Sequence, residues 1–224
     1  MAFDLLGRAL SRDAPLIDED DEFTQRILDA ALAQFNDFGL RRTTVDDVAR
    51  RGGLSRITIY RRFAKKEHLV EAVLSREVRR FLSGLAATAA GQSTPETRIV
   101  ESIAFSLQYL CGHPLLNRLL ETEPESIVPW LTVRGGPVVA AVREQVAAVI
   151  RPEIYGAAPV PAGAAQAIEV AAEMGVRLTL SFVLTRPSVV PLDTPDEARR
   201  FARQYIVPIY ETLVRRLTRV DRDI

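Results

Sequence analysis

Cysteine, glycine-rich loops and long apolar runs are scarce in this sequence. Its 224 residues include a single cysteine, Cys111. A lone cysteine excludes an intramolecular disulfide and a multi-cysteine zinc cluster, which fits a reducing cytosol. No 18 apolar residues run together, and Asp4 and Arg8 interrupt the start of the chain, so neither a membrane-spanning helix nor a secretion signal is expected. We therefore expect a soluble, cytoplasmic protein that does not contact a membrane.

The motifs of common catalytic sites are also missing. The chain has two histidines, His68 and His113, and it contains no HExxH, no Glu-x-x-His pair, no P-loop and no GxGxxG. These motifs place metal ligands or phosphate-binding backbone at fixed spacings. We therefore expect no enzyme activity, no catalytic residue, no metal site and no cofactor.

Charge is balanced over the whole chain but not along it. Lysine and arginine together number 29, as do aspartate and glutamate. Residues 41–80 nevertheless hold twelve basic residues against five acidic ones, a local excess of +7. A basic excess confined to one segment is typical of a surface that binds a polyanion such as DNA.

Apolar residues recur at three and four positions along most of the chain, and no strand alternation is found, which predicts an all-α fold. Thr44 with Asp47 resembles a capping box, and Ser55 can cap the next helix. Thr194 before Pro195 looks like the N-cap of the last helix, which Pro208 should kink near Gln204. The predicted helices cover residues 21–39, 44–51, 55–63, about twenty residues from 65, 95–111, 114–121, 136–151, 163–185 and 195–218.

The segment Thr44–Phe63 has the form of a helix-turn-helix. Gly52 and Gly53 allow a tight turn, and Leu54 anchors it. Such a unit places its second helix in the major groove, where side chains meet base edges. With Ile59 and Phe63 in the core, Arg56, Ile57, Thr58, Tyr60 and Arg61 turn partly or wholly outward.

The sequence from Thr44 to Leu69, TVDDVARRGGLSRITIYRRFAKKEHL, resembles the N-terminal signature of the TetR family, and the resemblance covers residues 23 to about 74. It implies a repressor that is a homodimer on a palindromic operator in double-stranded DNA and is released by an unknown small-molecule effector. The implied domains are a flexible arm (1–20), a three-helix helix-turn-helix DNA-binding domain (21–68) and a helical effector-binding and dimerisation domain (69–224).

The resemblance also implies DNA contacts. Thr44 and Tyr60 would contact phosphates, Arg56 and Thr58 bases or phosphates, and Lys66 a phosphate. Three residues depart from the family pattern: Gly52 stands where alanine is usual, Ile57 where a small residue is common, and Arg62 where an aromatic is usual. Ile57 could contact a methyl group or exclude contact. The full set of predicted DNA-binding residues is Thr44, Ser55, Arg56, Ile57, Thr58, Tyr60, Arg61, Arg62, Lys65 and Lys66.

The last two predicted helices, 163–185 and 195–218, each carry an apolar stripe that must pack against another surface. A four-helix bundle with two helices from each subunit would bury them, and burial within one chain is the alternative. The predicted dimer interface comprises Ala172, Gly175, Thr179, Val183, Phe201, Tyr205, Ile209 and Leu213. An effector pocket is predicted from Phe105, Tyr109, Trp130, Met174, Leu178 and Phe182, and its few charges favour a mostly apolar effector.

Two other classes of protein remain open at this point. One is a helical enzyme that carries an incidental basic head, and the other is a structural interaction module. Salt-sensitive binding to duplex DNA separates a regulator from the interaction module.

Overall fold

The computed structural model describes residues 21–155 and 162–212, which form helices joined by short connections and contain no strand. The all-α prediction is therefore confirmed. None of the helices in this part of the chain is both long enough and apolar enough to cross a membrane. The helices are α1 (Glu22–Arg42), α2 (Val45–Gly52), α3 (Arg56–Arg62), α4 (Lys66–Ala90), α5 (Pro95–Gly112), α6 (Pro114–Thr122), α7 (Pro124–Leu131), α8 (Gly136–Tyr155), α9 (Ala162–Leu184) and α10 (Pro195–Phe201).

The helix starts follow the predicted capping residues. Thr44 and Asp47 form a reciprocal capping box at the start of α2, and the hydroxyl of Ser55 accepts the N–H of Thr58 at the start of α3. Thr194 caps α10 in the same reciprocal way with Glu197. Each cap satisfies backbone N–H groups that have no partner inside the helix.

One helix was missed by the sequence analysis. Prolines are frequent between residues 122 and 137, but Pro124 occupies the first turn of α7 and does not prevent a helix there. A proline costs little there, because the N–H it lacks would be unpaired in any case. α6 begins in a related way, with His113 as its cap and Pro114 in its first turn.

The last described helix changes its winding near Pro208. α10 continues into a π-helical turn at Ala202–Ile206, and α-helical winding resumes to residue 212. Proline at 208 has no N–H to donate to the carbonyl of Gln204, and a π-turn is one way in which a helix accommodates such a break. The irregular turn therefore surrounds the residue at which a kink was predicted.

Packing divides the chain into two compact units. The first contains the described residues through Arg80 together with Gly112–Val138, and the second contains Phe81–Cys111 and the described residues from Val139 onward. Residues 112–138, assigned from the sequence to the second domain, thus pack with the helix-turn-helix. The predicted arm, 1–20, lies outside the described residues.

Each unit has its own apolar core. In the first unit, Ile27, Phe35, Ile59 and Leu119 are among the side chains with almost no exposure. In the second, α5 packs with α9 and α10 around buried side chains that include Leu107, Ile168 and Ala198. Sequence periodicity fixes which face of each helix is apolar, and these cores are where those faces meet.

Candidate nucleic-acid interface

The turn between α2 and α3 is built on a left-handed glycine. Gly53 has φ 61° and ψ 35°, and its N–H donates to the carbonyls of Ala49 and Arg50. The N–H of Leu54 follows with a 2.9 Å bond to the carbonyl of Ala49. This is the αL ending that glycine favours, and it closes α2 tightly before α3 begins. The predicted tight turn is confirmed.

The inner faces of α2 and α3 are buried against α1. Val48 and Ile59 are at most 1% exposed, and Phe63 is 5% exposed at the end of α3. Ile59 and Phe63 lie four residues apart, so they occupy one side of the helix and fix its rotation. The opposite side of α3 must therefore face solvent.

The outer face of α3 presents an apolar, an aromatic and a cationic side chain together. Ile57 is 73% exposed and Tyr60 is 39% exposed, and the Arg56 side chain is also largely in solvent. The guanidinium of Arg56 lies over the ring of Tyr60, 5.4 Å from its centroid. Its Nε also lies 3.2 Å from a carboxylate oxygen of Asp46 in α2. These contacts orient Arg56 before any partner arrives.

The hydroxyl groups that are predicted to contact DNA already form hydrogen bonds in helix caps. Thr44 donates to Oδ2 of Asp47 at 2.6 Å and accepts the N–H of Asp47 at 3.2 Å. The Ser55 and Thr58 hydroxyls lie 2.7 Å apart. The hydrogen bonds from Thr44 hold the pKa of Asp47 below its ordinary value. A hydroxyl has one proton to donate and a phosphate oxygen only accepts, so a phosphate contact from Thr44 would require its hydroxyl to turn from Asp47 to the DNA.

Arg62 forms an ion pair within the chain. Its guanidinium lies 2.6 Å from Oδ2 of Asp21, the N-cap of α1, and donates to Thr24 at 3.0 Å. These bonds tie the end of α3 to the start of α1. A phosphate contact from Arg62, which remains a prediction, would compete with Asp21.

The two lysines at the start of α4 differ in environment. Lys65 is exposed, whereas Lys66 is half-buried and donates to the carbonyl of Arg41 at 3.4 Å. Burial lowers the pKa of Lys66, although Glu67 and Glu123 oppose the shift. Lys65 thus resembles an ordinary surface charge, while Lys66 is held against the end of α1.

Acidic residues from outside the basic segment neutralise part of its charge. Asp21 pairs with Arg62, Asp37 with Arg51, and Glu125 with Arg41. Sequence counting could not detect this compensation because the acids lie far away in the chain. Three exposed cations of the segment form no ion pair with any described residue: Arg42, Arg61 and Lys65. These are the charges that binding a polyanion would use first.

The residues predicted to line an effector pocket are divided between the two units, and the pocket remains a prediction. Phe105 and Tyr109 are half-buried and stack with Phe81 in the second unit, with ring centroids 5.5 to 6.0 Å apart. Trp130 belongs to the core of the first unit. On α9, Phe182 packs edge-on against Phe201, whereas the other two predicted residues, Met174 and Leu178, are 43% and 37% exposed.

Most of the predicted dimer interface is buried inside the chain itself. Exposure is below 10% for Ala172, Thr179, Val183 and Phe201, and Gly175 is also buried. Phe182 packs against Phe201 and the Tyr210 hydroxyl lies near Gly175, so contacts with the last helix contribute to this burial within the chain. Tyr205 is 52% exposed and Ile209 is half-buried. Leu213 lies outside the described residues.

Sequence reasoning missed a buried carboxylate beside the helix-turn-helix. Glu123 is only 4% exposed, and its Oε1 accepts the backbone N–H of Arg41 at 3.0 Å. Gly39 makes room for it, since a Cβ there would overlap Oε1. A glutamate before a proline looks like an ordinary helix start. The one signal available is a glycine, Gly39, at the predicted end of the first helix.

The fold and this surface define a helix-turn-helix protein, and comparison with known sequences gives its family. Residues 27–73 match the family model of bacterial regulatory proteins of the tetR family. Residues 95–203 match the model of the C-terminal domain of the bacterial tetracyclin repressor. The two matches together cover well over half of the chain, which therefore belongs to the TetR family. The resemblance inferred from the sequence is confirmed.

One curated relative is a bacterial transcriptional regulator. An uncharacterized HTH-type transcriptional regulator of Bacillus subtilis, YvkB, is 45% identical over 51 residues, which are 23% of this chain and 27% of that protein. The chain thus spans about a quarter of the curated relative it matches.

Solved structures resemble the whole described fold. The TetR family repressor AlkX of Dietzia sp. strain DQ12-45-1b, implicated in biodegradation of n-alkanes, superimposes with a TM-score of 0.60 at 21% identity, covering 85% of this chain and 96% of that one. The fatty acid degradation regulator FadR of Bacillus halodurans gives 0.51 at 13% identity, covering 85% and 97%. At these identities the likeness shows the fold.

Proposed function

We propose that this protein is a sequence-specific regulator of transcription that inserts α3 into the major groove of DNA. The observation that carries the proposal is the exposed face formed by Arg56, Ile57 and Tyr60. Arginine can donate to a guanine edge or to a phosphate, tyrosine can donate to a phosphate, and an exposed isoleucine matches a thymine methyl group. No catalytic step, metal or cofactor is part of this proposal.

Contacts to the DNA backbone would surround this face. Arg42, Arg61 and Lys65 supply exposed charge, and the hydroxyls of Thr44 and Ser55 lie at the starts of α2 and α3. Phosphate contacts of this kind position a protein on the duplex without reading its sequence. They also release counterions, so binding should weaken steeply as salt rises.

The regulator would act as a homodimer on a palindromic operator. Two copies related by a two-fold axis place their α3 helices in successive major grooves, about 34–36 Å apart. A surface for this contact is offered by α9, where Val170, Met174 and Leu178 form an exposed apolar stripe at four-residue spacing. Tyr205 adds an exposed ring on the neighbouring helix. We assign the interface to these residues rather than to the buried set predicted from the sequence.

Selection from a random duplex pool tests DNA binding, two-fold symmetry and half-site spacing in one experiment. We expect nanomolar affinity for the selected site. Replacing both Arg56 and Tyr60 by alanine should reduce that affinity by at least tenfold. A loss of less than twofold in a folded double variant would contradict the proposal.

A matched control is available in the same unit. Arg134 also lies over an aromatic ring, 5.7 Å from the centroid of Trp130, but it is far from α3 in the chain. Arg134→Ala removes the same charge and the same type of ring contact, and we expect it to leave DNA affinity within about twofold.

The proposal includes a small apolar effector that lowers the affinity of the dimer for the operator.

A further inference from the structure

The first unit contains a cavity beside the helix-turn-helix. Its volume is about 120 Å³, and it lies between the end of α1, the start of α4, and the pair α6 and α7. Cavities of about 150 Å³ accept a molecule as large as benzene. At about 120 Å³ this cavity is smaller, so one aromatic ring is the upper limit for the part of a molecule that enters it.

Apolar side chains form most of its wall. Leu74 and Leu119 come from α4 and α6, and Trp130 comes from the last turn of α7. The cavity is also lined by two cations, Arg41 at the end of α1 and Lys66 at the start of α4. Such walls bind apolar surface, while a few polar groups decide which molecules fit.

The polar group that distinguishes this cavity is Glu123. Its Oε1 is occupied by the N–H of Arg41, while its Oε2 is buried and has no hydrogen-bond partner among the described residues. A buried carboxylate oxygen without a donor is unfavourable, and nearly all such atoms in folded proteins have a partner. Glu123 lines the cavity, and the last torsion of a glutamate is broad, so a donor in the cavity would meet Oε2 after a rotation of the carboxylate.

We propose that the cavity binds a small apolar molecule that carries an amine or hydroxyl group, which donates a hydrogen bond to Oε2 of Glu123. The apolar body of this molecule lies against Leu74, Leu119 and Trp130. A water molecule could supply the donor alone, but it would leave these apolar walls uncovered. An amine binds more tightly than an alcohol, because a charged donor makes the stronger bond with a carboxylate.

Occupancy of the cavity would alter DNA binding through Arg41 and Lys66. Lys66 donates to the carbonyl of Arg41, and both residues line the cavity. A bound molecule that shifts Glu123 also shifts the N–H of Arg41 and, through its carbonyl, Lys66. This step rests on the proposed function and on the sequence prediction that Lys66 contacts a phosphate. Binding in the cavity does not depend on it.

Trp130 makes the binding step directly measurable. It is the single tryptophan of the chain and lines the cavity, so its fluorescence reports occupancy without DNA. We would titrate the full chain with benzylamine, benzyl alcohol, toluene and benzoate, which share a ring and differ in the group they offer. The expected order of affinity is benzylamine, then benzyl alcohol, then toluene, with no saturable response to benzoate.

A pair of substitutions tests the role of Glu123. Glu123→Gln keeps the shape and one acceptor oxygen but removes the charge, and it should weaken benzylamine binding by about tenfold or more. Glu125→Gln is the matched control, because it makes the same change two residues away on an exposed side chain that pairs with Arg41. It should leave binding within about twofold. Equal binding of benzylamine and toluene, or undiminished binding by Glu123→Gln, would overturn the proposal.

Measuring DNA binding in the presence of benzylamine distinguishes this proposal from the proposed function. Benzylamine at saturating concentration should lower affinity for the selected duplex at least fivefold in the parent protein, but not in Glu123→Gln. If the fluorescence titration succeeds while DNA affinity stays constant, the binding site stands and its regulatory effect is wrong. If the protein binds no duplex at all, the proposed function fails, and the fluorescence result still decides whether the cavity is a binding site.

Discussion

Two glycines of the first unit hold backbone conformations that other residues rarely adopt. Gly53 is in the ordinary left-handed region, and the nearest atom to a Cβ built on it is Nη2 of Arg26 at 3.9 Å. Gly39, with φ 79° and ψ 176°, is in a region that is essentially restricted to glycine. A Cβ at Gly39 would overlap Glu123. The two positions thus look alike in the sequence but differ in what a side chain would meet.

Alanine substitution at the two glycines should therefore have unequal costs. Gly53→Ala should lower the free energy of unfolding by about 1–2 kcal/mol, the cost of a left-handed alanine. Gly39→Ala should cost about 3 kcal/mol or more, because backbone strain and overlap with Glu123 add. Urea unfolding midpoints measure both, and equal losses would contradict the close packing of Glu123 against Gly39.

Ile57 offers a residue-level test of base recognition. Its exposed side chain is expected to contact a thymine methyl group, which contributes about 0.8 kcal/mol when buried. Replacing thymine by uracil at one position of each half-site should weaken binding by the parent protein about fourfold per contact. Ile57→Ala should bind both duplexes equally. A uracil effect that persists in Ile57→Ala would assign the contact to another residue.

At the scale of elements, short helices depend on their ends. α2 has eight residues, and its first turn relies on the box between Thr44 and Asp47. Helices this short are marginal in isolation, so caps and tertiary packing maintain them. The same threonine is also a predicted phosphate contact, which means that a simple deletion would mix two effects.

A graded pair of substitutions separates these effects. Thr44→Ala should lower the free energy of unfolding by about 1 kcal/mol, because the N–H of Asp47 loses its acceptor and Oδ2 of Asp47 keeps only the N–H of residue 44 as a donor. Thr44→Ser retains the hydroxyl and should leave both stability and DNA affinity nearly unchanged. Thermal unfolding and duplex titration are the measurements. A serine variant that loses DNA affinity while remaining stable would indicate that the methyl group, not the hydroxyl, matters at the interface.

At the scale of the whole molecule, the exposed stripe on α9 is an obvious surface for association. Val170, Met174 and Leu178 are the large apolar side chains of α9 that its own packing leaves exposed. A charged residue within an apolar contact would be buried without a partner, which strongly disfavours association. The stripe is therefore the region in which one substitution should change the oligomeric state.

Leu178→Glu should convert the dimer to a monomer at micromolar concentration, as measured by sedimentation. Val189→Glu is its control, because Val189 is fully exposed outside the described helices and packs against nothing. The control should remain dimeric. The monomeric variant should also lose most of its affinity for a two-fold site, since each half-site alone binds weakly. A parent protein that sediments only as a monomer would remove the dimer from the proposal.

The helices, their caps and the outward face of α3 could be predicted from the sequence, because they depend on neighbours within about four residues. Apolar periodicity placed Ile59 and Phe63 inside, which left Arg56, Ile57 and Tyr60 outside. Thr44, Ser55 and Thr194 are caps for the same local reason. The family followed from these residues, since its signature is itself a local pattern of helix, turn and helix.

Tertiary structure alone decided which surfaces meet. Periodicity identified the apolar faces of α9 and the last helix but not their partner, and the chain itself buries Ala172 and Val183 and leaves Met174 and Leu178 exposed. The pairing of Arg62 with Asp21 and the burial of Glu123 beneath Gly39 join residues far apart in the chain. No local pattern encodes such contacts, because their free energy arises only when separate helices pack together.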